Sequence, residues 1–197
     1  MHSLYVDSTS GLVVGLLDST FNWLHYSELD EKKPSEVIHT EIHQLLLKYH
    51  LKISEVNFIF SSGPGSYTGM RLGEGIAQIL SWDNVKVYSF HHFQVPKIVG
   101  VKKGFWVTNA FKQQVFLYNW DVDQSLDEKS LVNVADFKIM DTALGFTLSS
   151  ALTAEYSKLK NTKEMIKNEP RLIFDYVIKN KLREPPYYFR TLEEEFK

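Results

Sequence analysis

Three short apolar runs open the chain, each closed by small or polar residues. Leu4–Asp7, Leu12–Leu17 and Phe21–Tyr26 have the length and composition of strands, joined by turns at Ser8–Gly11 and Asp18–Thr20. The polar stretch Asp30-Glu-Lys-Lys-Pro34 breaks the pattern. From Ser35 the spacing becomes helical, with Val37, Ile38, Ile42, Leu45, Leu46 and Tyr49 on one face. Phe58–Phe60 then reads as a fourth strand, Thr68–Trp82 as a second helix and Val85–Tyr88 as a fifth strand. A three-stranded meander followed by β-α-β-α-β predicts a mixed sheet flanked by helices.

That order is the ribonuclease H-like plan of the lobes of actin-like ATPases, an α/β fold that by itself says little about function. Beyond residue 99 the pattern weakens. Phe105–Thr108 and Val115–Trp120 read as strands, Asp121–Lys129 as an acidic loop and Ala143–Lys160 as partly helical. Pro170–Lys181 has Leu172, Ile173, Tyr176 and Val177 at helical spacing. Prolines make Pro185–Arg190 extended, and Glu193–Glu195 form a short, solvated acidic tail.

Composition narrows the classes. The 197 residues are 44% hydrophobic and 23% charged, with a net charge of −2 and no cysteine. This is an ordinary globular balance without a basic field for nucleic acid. Absence of cysteine excludes disulfides and thiolate metal sites. No signal peptide is evident, and no apolar run approaches the roughly 18 residues of a membrane helix. The expectation is a soluble, cytoplasmic protein that does not engage membranes.

The most informative stretch is Phe58–Gly73, where a strand ends in the tight loop Ser61-Ser-Gly63-Pro-Gly65-Ser66 and passes into the second helix. Gly63 and Gly65 permit unusual backbone angles, Pro64 stiffens the turn, and Ser66 or Thr68 can cap the helix. Two readings stay open: a structural turn, or an anion site at the helix N-terminus. With Asp7 and Ser8 after the first strand, Gly63, Gly65, Ser66 and Thr68 make up the candidate phosphate loop. Within the helix, Leu72, Ile76, Ile79 and Leu80 form a buried face, and Gly69, Gly73, Ala77 and Ser81 a stripe of small residues. Helical glycine costs about 1 kcal/mol relative to alanine. The stripe therefore implies close approach of another backbone, which points to an interface.

Residues Ser62-Gly-Pro-Gly-Ser-Tyr-Thr-Gly-Met-Arg-Leu-Gly73 resemble the GPGSFTGLRIG signature of the TsaB (YeaZ) family, subunits of the bacterial tRNA threonylcarbamoyladenosine machinery. Asp7-Ser-Thr-Ser10, Ser35-Glu36, Leu51–Val56 and Pro186–Arg190 fall in register with other family segments. Asn109–Tyr118 matches loosely: Phe111, Gln113 and Gln114 stand for Arg, Gly and Glu, and Pro34 for His. The resemblance implies two lobes, here 1–98 and 99–197, no catalytic activity of the subunit alone, and no cofactor. It also implies docking to the catalytic paralogue TsaD through the helices after strands three and four, with the ATPase TsaE joining and tRNA met only through the complex. Isolated protein is expected to form a homodimer through the same patch. Val37, Glu41, Leu45, Gly69, Met70, Arg71, Gly73 and Ala77 are the expected interface, and Gly73→Leu is expected to weaken association without unfolding the chain.

The catalytic paralogue binds a metal through His-x-x-x-His, but the matching stretch here is His91-His92-Phe-Gln-Val-Pro96, and proline cannot coordinate. His39 and His43 have i, i+4 spacing without a third ligand in sight, so no metal site is expected. A competing reading is a nucleotide-dependent, kinase-like enzyme with its site between the lobes around Asp7. Ser8 stands where such enzymes need glycine, and bracing of the adjacent turn accounts for Asp7 equally.

Overall fold

Strands covered on both faces read as unbroken apolar runs, and the first two strands behave this way. A computed structural model of the chain describes residues 1–29, 33–137 and 144–189; the expected acidic tail and the break at 30–32 lie outside them. Strands β1 (His2–Asp7) and β2 (Leu12–Leu17) are buried almost throughout, and β3 (Trp23–Leu29) forms an edge. Helix α1 (Pro34–Lys48), β4 (Val56–Ser61), α2 (Tyr67–Trp82) and β5 (Val87–Phe90) follow. Pro34 opens α1 at a position where its fixed φ suits the helix and its missing N–H is not needed.

The sheet order is β3-β2-β1-β4-β5, antiparallel among the first three strands and parallel from β1 through β4 to β5. One face packs Leu4, Val6, Val14, Phe58 and Phe60 against Ile38, Leu45, Leu46 and Ala77 of the two helices. The other carries Tyr5, Trp23 and Phe90, which stack around Phe174 of the last helix. The first compact unit is therefore Met1–His91 together with Pro170–Tyr187.

The second unit, His92–Glu169 with Tyr188 and Phe189, repeats the plan. After a single turn, α3 (Val95–Ile98), come β6 (Lys103–Asn109), β7 (Gln114–Asp121), β8 (Leu126–Asn133), β9 (Gly145–Thr147), α4 (Ser150–Glu155), β10 (Leu159–Asn161) and α5 (Thr162–Asn168). The sheet order β8-β7-β6-β9-β10 again joins an antiparallel meander to two parallel strands. Phe105, Val107, Val115, Leu152 and Leu159 form its core beneath α4. Helix α6 (Pro170–Lys179) then belongs to the first unit, burying Ile173, Phe174 and Val177. Two ribonuclease H-like sheets in one chain give the actin-like fold class.

Besides shifts of a few residues at the ends of β4, β5 and α6, three segments differ from the sequence expectation. Phe21 sits at φ +62 in a turn, so β3 begins at Trp23. The expected acidic loop 121–129 becomes strand from Leu126, an exposed edge whose charged residues hide its extended backbone. The expected partial helix over 143–160 contains two three-residue strands around α4; its first residue lies outside the described chain.

The turn between β2 and β3 is held by Asp18. Its Oδ1 accepts from the Thr20 and Asn22 backbone N–H groups at 2.8 and 2.9 Å and from the Thr20 hydroxyl at 2.8 Å. The Asn22 N–H foremost, then the Thr20 hydroxyl, hold its pKa down to about 2. A depressed carboxylate pKa stabilises above the unfolded value near 4 and is lost as pH falls through the folded value. Asp18→Asn is therefore expected to lower the melting temperature at neutral pH. In calorimetric scans from pH 7 downward, that difference should vanish by about pH 2.

Helices α1 and α2 end with non-glycine residues at positive φ, His50 (φ 54) and Asn84 (φ 60), each followed by a residue whose N–H closes the helix. Leu51 N–H bonds to Leu46 O at 3.0 Å, and Val85 N–H to Leu80 O at 3.0 Å. Left-handed backbone is unfavourable for histidine. His50→Gly is expected to raise the urea midpoint by an amount equivalent to about 0.5–1 kcal/mol.

Candidate functional site

The loop after β4 and the turn after β1 lie against each other, backbone to backbone. Thr9 O accepts the Ser66 N–H at 2.8 Å, and the Ser8 hydroxyl donates to Gly69 O at 2.7 Å. A side chain at Gly65 would meet Thr9 O at 2.5 Å, and one at Gly69 would overlap the Ser8 carbonyl. The Ser66 hydroxyl caps α2 by accepting from the Gly69 N–H at 3.2 Å, and Thr68 is exposed. Asp7 is 1% exposed, and its Oδ1 accepts from Thr9 N–H at 2.8 Å and Thr9 Oγ1 at 2.6 Å. Burial first, and the Asp7 carboxylate next, push the phenol of neighbouring Tyr5 well above its usual pKa.

This geometry favours the structural-turn reading of the loop. A phosphate approaching Ser8 would have to separate two backbones already in contact. Asp7 braces the turn from below, as an Asx-type acceptor does.

A strap from the end of the first unit locks the base of the same loop. Ser62 Oγ and Ser89 Oγ both donate to Glu184 O, at 2.9 and 2.7 Å, and the Tyr187 N–H donates to Ser62 O at 2.9 Å. Arg183 makes two hydrogen bonds to Glu74 of α2, at 2.9 and 2.7 Å, with its guanidinium over the Phe60 ring. His91 is buried, and its Nε2–H donates to Pro185 O at 2.8 Å. His92 is also buried, with Nδ1 3.3 Å from Thr162 Oγ1. His39 and His43 are exposed on α1, and among the described residues no three His, Asp or Glu side chains could together hold a metal.

The expected interface residues are redistributed by burial. Met70 and Ala77 are fully buried, Gly69 and Gly73 are buried, and Leu45 lies in the core beneath α1. Val37 packs partly into the same core, and Glu41 is half-buried, leaving Arg71 exposed. The small-residue stripe meets its own chain: Gly69 lies on Ser8, and a Cβ at Gly73 would stand 3.0 Å from the Phe60 ring. A leucine at Gly73 thus collides with the core, and Gly73→Leu is now expected to unfold the protein rather than merely weaken association.

Ile79, expected on the buried face, is 60% exposed, and Trp82 is 81% exposed. With Gly75, where an added Cβ meets nothing within 4 Å, they follow i, i+4, i+7 along the outer side of α2. On α1, Leu47 is 59% exposed. The signal was present for two of these residues, since Leu47 lies off the apolar stripe of α1 and Trp82 ends α2 beyond the buried set; the spacing put Ile79 on the buried face.

Solved structures show whose architecture this is. YeaZ from Pseudomonas aeruginosa aligns over 95% of this chain and 99% of its own, with a TM-score of 0.66 and 16% sequence identity. The chain has the YeaZ fold. A second crystal structure, of an uncharacterised protein with similarity to peptidase YeaZ from Pseudomonas aeruginosa, aligns over 96% of this chain and 99% of its own, with a TM-score of 0.64 and 15% identity. No family model matches the sequence, and no curated protein matches it. Lys112 and Gln113 take φ +54 and +59 in the β6–β7 turn, left-handed backbone without glycine. Among the described residues no helix is long and apolar enough to cross a membrane.

Proposed function

We propose that this chain is a non-catalytic, TsaB-like scaffold subunit that supports tRNA threonylcarbamoylation by docking a TsaD-like catalytic subunit, with a TsaE-like ATPase joining the assembly. Its contribution is positional: the outer sides of α1 and α2 pack against the equivalent helices of the partner. The exposed apolar side chains of α2, Ile79 and Trp82, carry the reading, together with Leu47 on α1. Apolar surface of this kind on a folded domain favours burial by another protein. The signature loop, the YeaZ fold and an Asp7 turned inward support the same assignment. In the absence of a partner, the patch pairs with a second copy, and tRNA is met through the complex.

Co-purification from the native cell, with bound proteins identified, tests this directly. Recovery of a TsaD-like protein is the expected result; reproducible recovery of the chain without one overturns the reading. Calorimetry with ATP and magnesium addresses the enzymatic alternative. No heat of binding is expected, whereas micromolar binding abolished by Asp7→Ala would make the chain a nucleotide-dependent enzyme.

A further inference from the structure

Helix α2 carries one glycine that packing within the chain does not explain. A Cβ at Gly69 would overlap Ser8 and one at Gly73 would crowd Phe60, but one at Gly75 would meet nothing within 4 Å. Glycine inside a helix disfavours it by about 1 kcal/mol relative to alanine, and at Gly75 no intramolecular contact offsets that. Gly75 lies opposite the buried Met70, Gly73 and Ala77, at the centre of the outward side of α2. Arg71, one turn before it, and Ile79 and Trp82, one and two turns after it, are all exposed. Gly75 is thus a notch beside two projecting apolar side chains, and a missing side chain lets a second helix come close.

This side of α2 is self-complementary about the level of Ala77. Gly75 and Ile79 lie two residues to either side of that level, and Arg71 and Asp83 lie six. Two copies of α2 crossing antiparallel on a two-fold axis there place each Ile79 on the other copy's Gly75. The same register sets each Arg71, about 9 Å from the axis at ~1.5 Å per residue, level with the other copy's Asp83 and beside its Trp82 ring. Asp83 is exposed at the C-terminal end of α2. Sliding by one turn loses the match. In one direction Asp83 meets Glu74 and Arg71 meets Lys86, like charges both times; in the other, glycine meets glycine and Arg71 is parted from Asp83.

We propose that the outward side of α2 binds α2 of a second copy of this chain, antiparallel, with Ile79 seated in the Gly75 notch and Arg71 paired to Asp83 across the two-fold axis. This pairing rests on the docking reading of α2 and adds the register to it.

Sedimentation equilibrium of the full-length chain tests the pairing, beside urea unfolding at concentrations where the chain is monomeric. Gly75→Leu fills the notch where the monomer has room. Its urea midpoint should be no lower than that of wild type, while self-association weakens about tenfold or more. Arg71→Glu and Asp83→Lys should each weaken self-association about fivefold, and the double variant should return to within about twofold of wild type. Both sites are exposed, so the fold is kept, which the urea midpoint checks. A wild-type chain that stays monomeric overturns the pairing, even where a TsaD-like protein co-purifies with it. Gly75→Leu associating as tightly as wild type, or a double charge variant no tighter than the single ones, overturns it as well. The docking reading itself falls only on co-purification.

Discussion

Gly69→Ala is expected to destabilise the protein by about 3 kcal/mol or more. The added carbon would overlap the Ser8 carbonyl, and the Ser8 hydroxyl, bonded to Gly69 O at 2.7 Å, ties the two segments so that neither can retreat. Domains of this size hold only about 5–15 kcal/mol in total, so urea unfolding followed by circular dichroism should show a large fall in midpoint. Gly75→Ala provides the control on the same helix. Its new methyl meets nothing within 4 Å, and removing a helical glycine should raise stability by about 1 kcal/mol. Equal midpoints for Gly69→Ala and wild type would mean that the two loops are not in contact in solution.

The second large effect concerns association. Trp82→Ala combined with Ile79→Ser removes most of the exposed apolar surface of α2. Truncation of aromatic anchors at the centre of an interface commonly costs 2 kcal/mol or more. On the proposed docking role, sedimentation should show any self-association, and binding to a TsaD-like partner, weakened by about 30-fold or more. Because both side chains project into solvent, the unfolding free energy should stay within about 0.5 kcal/mol of wild type. Unchanged association at an unchanged midpoint would remove this side of α2 from the interface, and with it the structural support for a scaffold role.

The sequence was most legible where a single physical demand shaped it. β1, β2 and β4 are apolar because both of their faces are covered, and α2 announces itself through its loop, its Ser66 cap and its period. The second unit was harder to see. β8 is an exposed edge with little alternation, and β9 and β10 have three residues each, too few to establish any period. The small-residue stripe shows the limit most clearly. Glycines four apart report that a backbone comes close, but not which chain supplies it; here the neighbours are Ser8 and Phe60 of the same unit. An apolar residue beyond the buried set, as Trp82 is, is the better sequence mark of an outward-facing side; Ile79, which fits the buried spacing, shows that periodicity alone does not find it.

One half of this molecule is written in two instalments. Residues 170–187 supply the lid over the aromatic side of the first sheet and the strap beside β5, yet the ribosome delivers them only after the whole of 92–169 has been made. During synthesis, Tyr5, Trp23 and Phe90 stay uncovered, awaiting Phe174. The nascent protein must carry this greasy surface until residues 170–187 emerge, so the half begun first is completed only after nearly all of the second has been made.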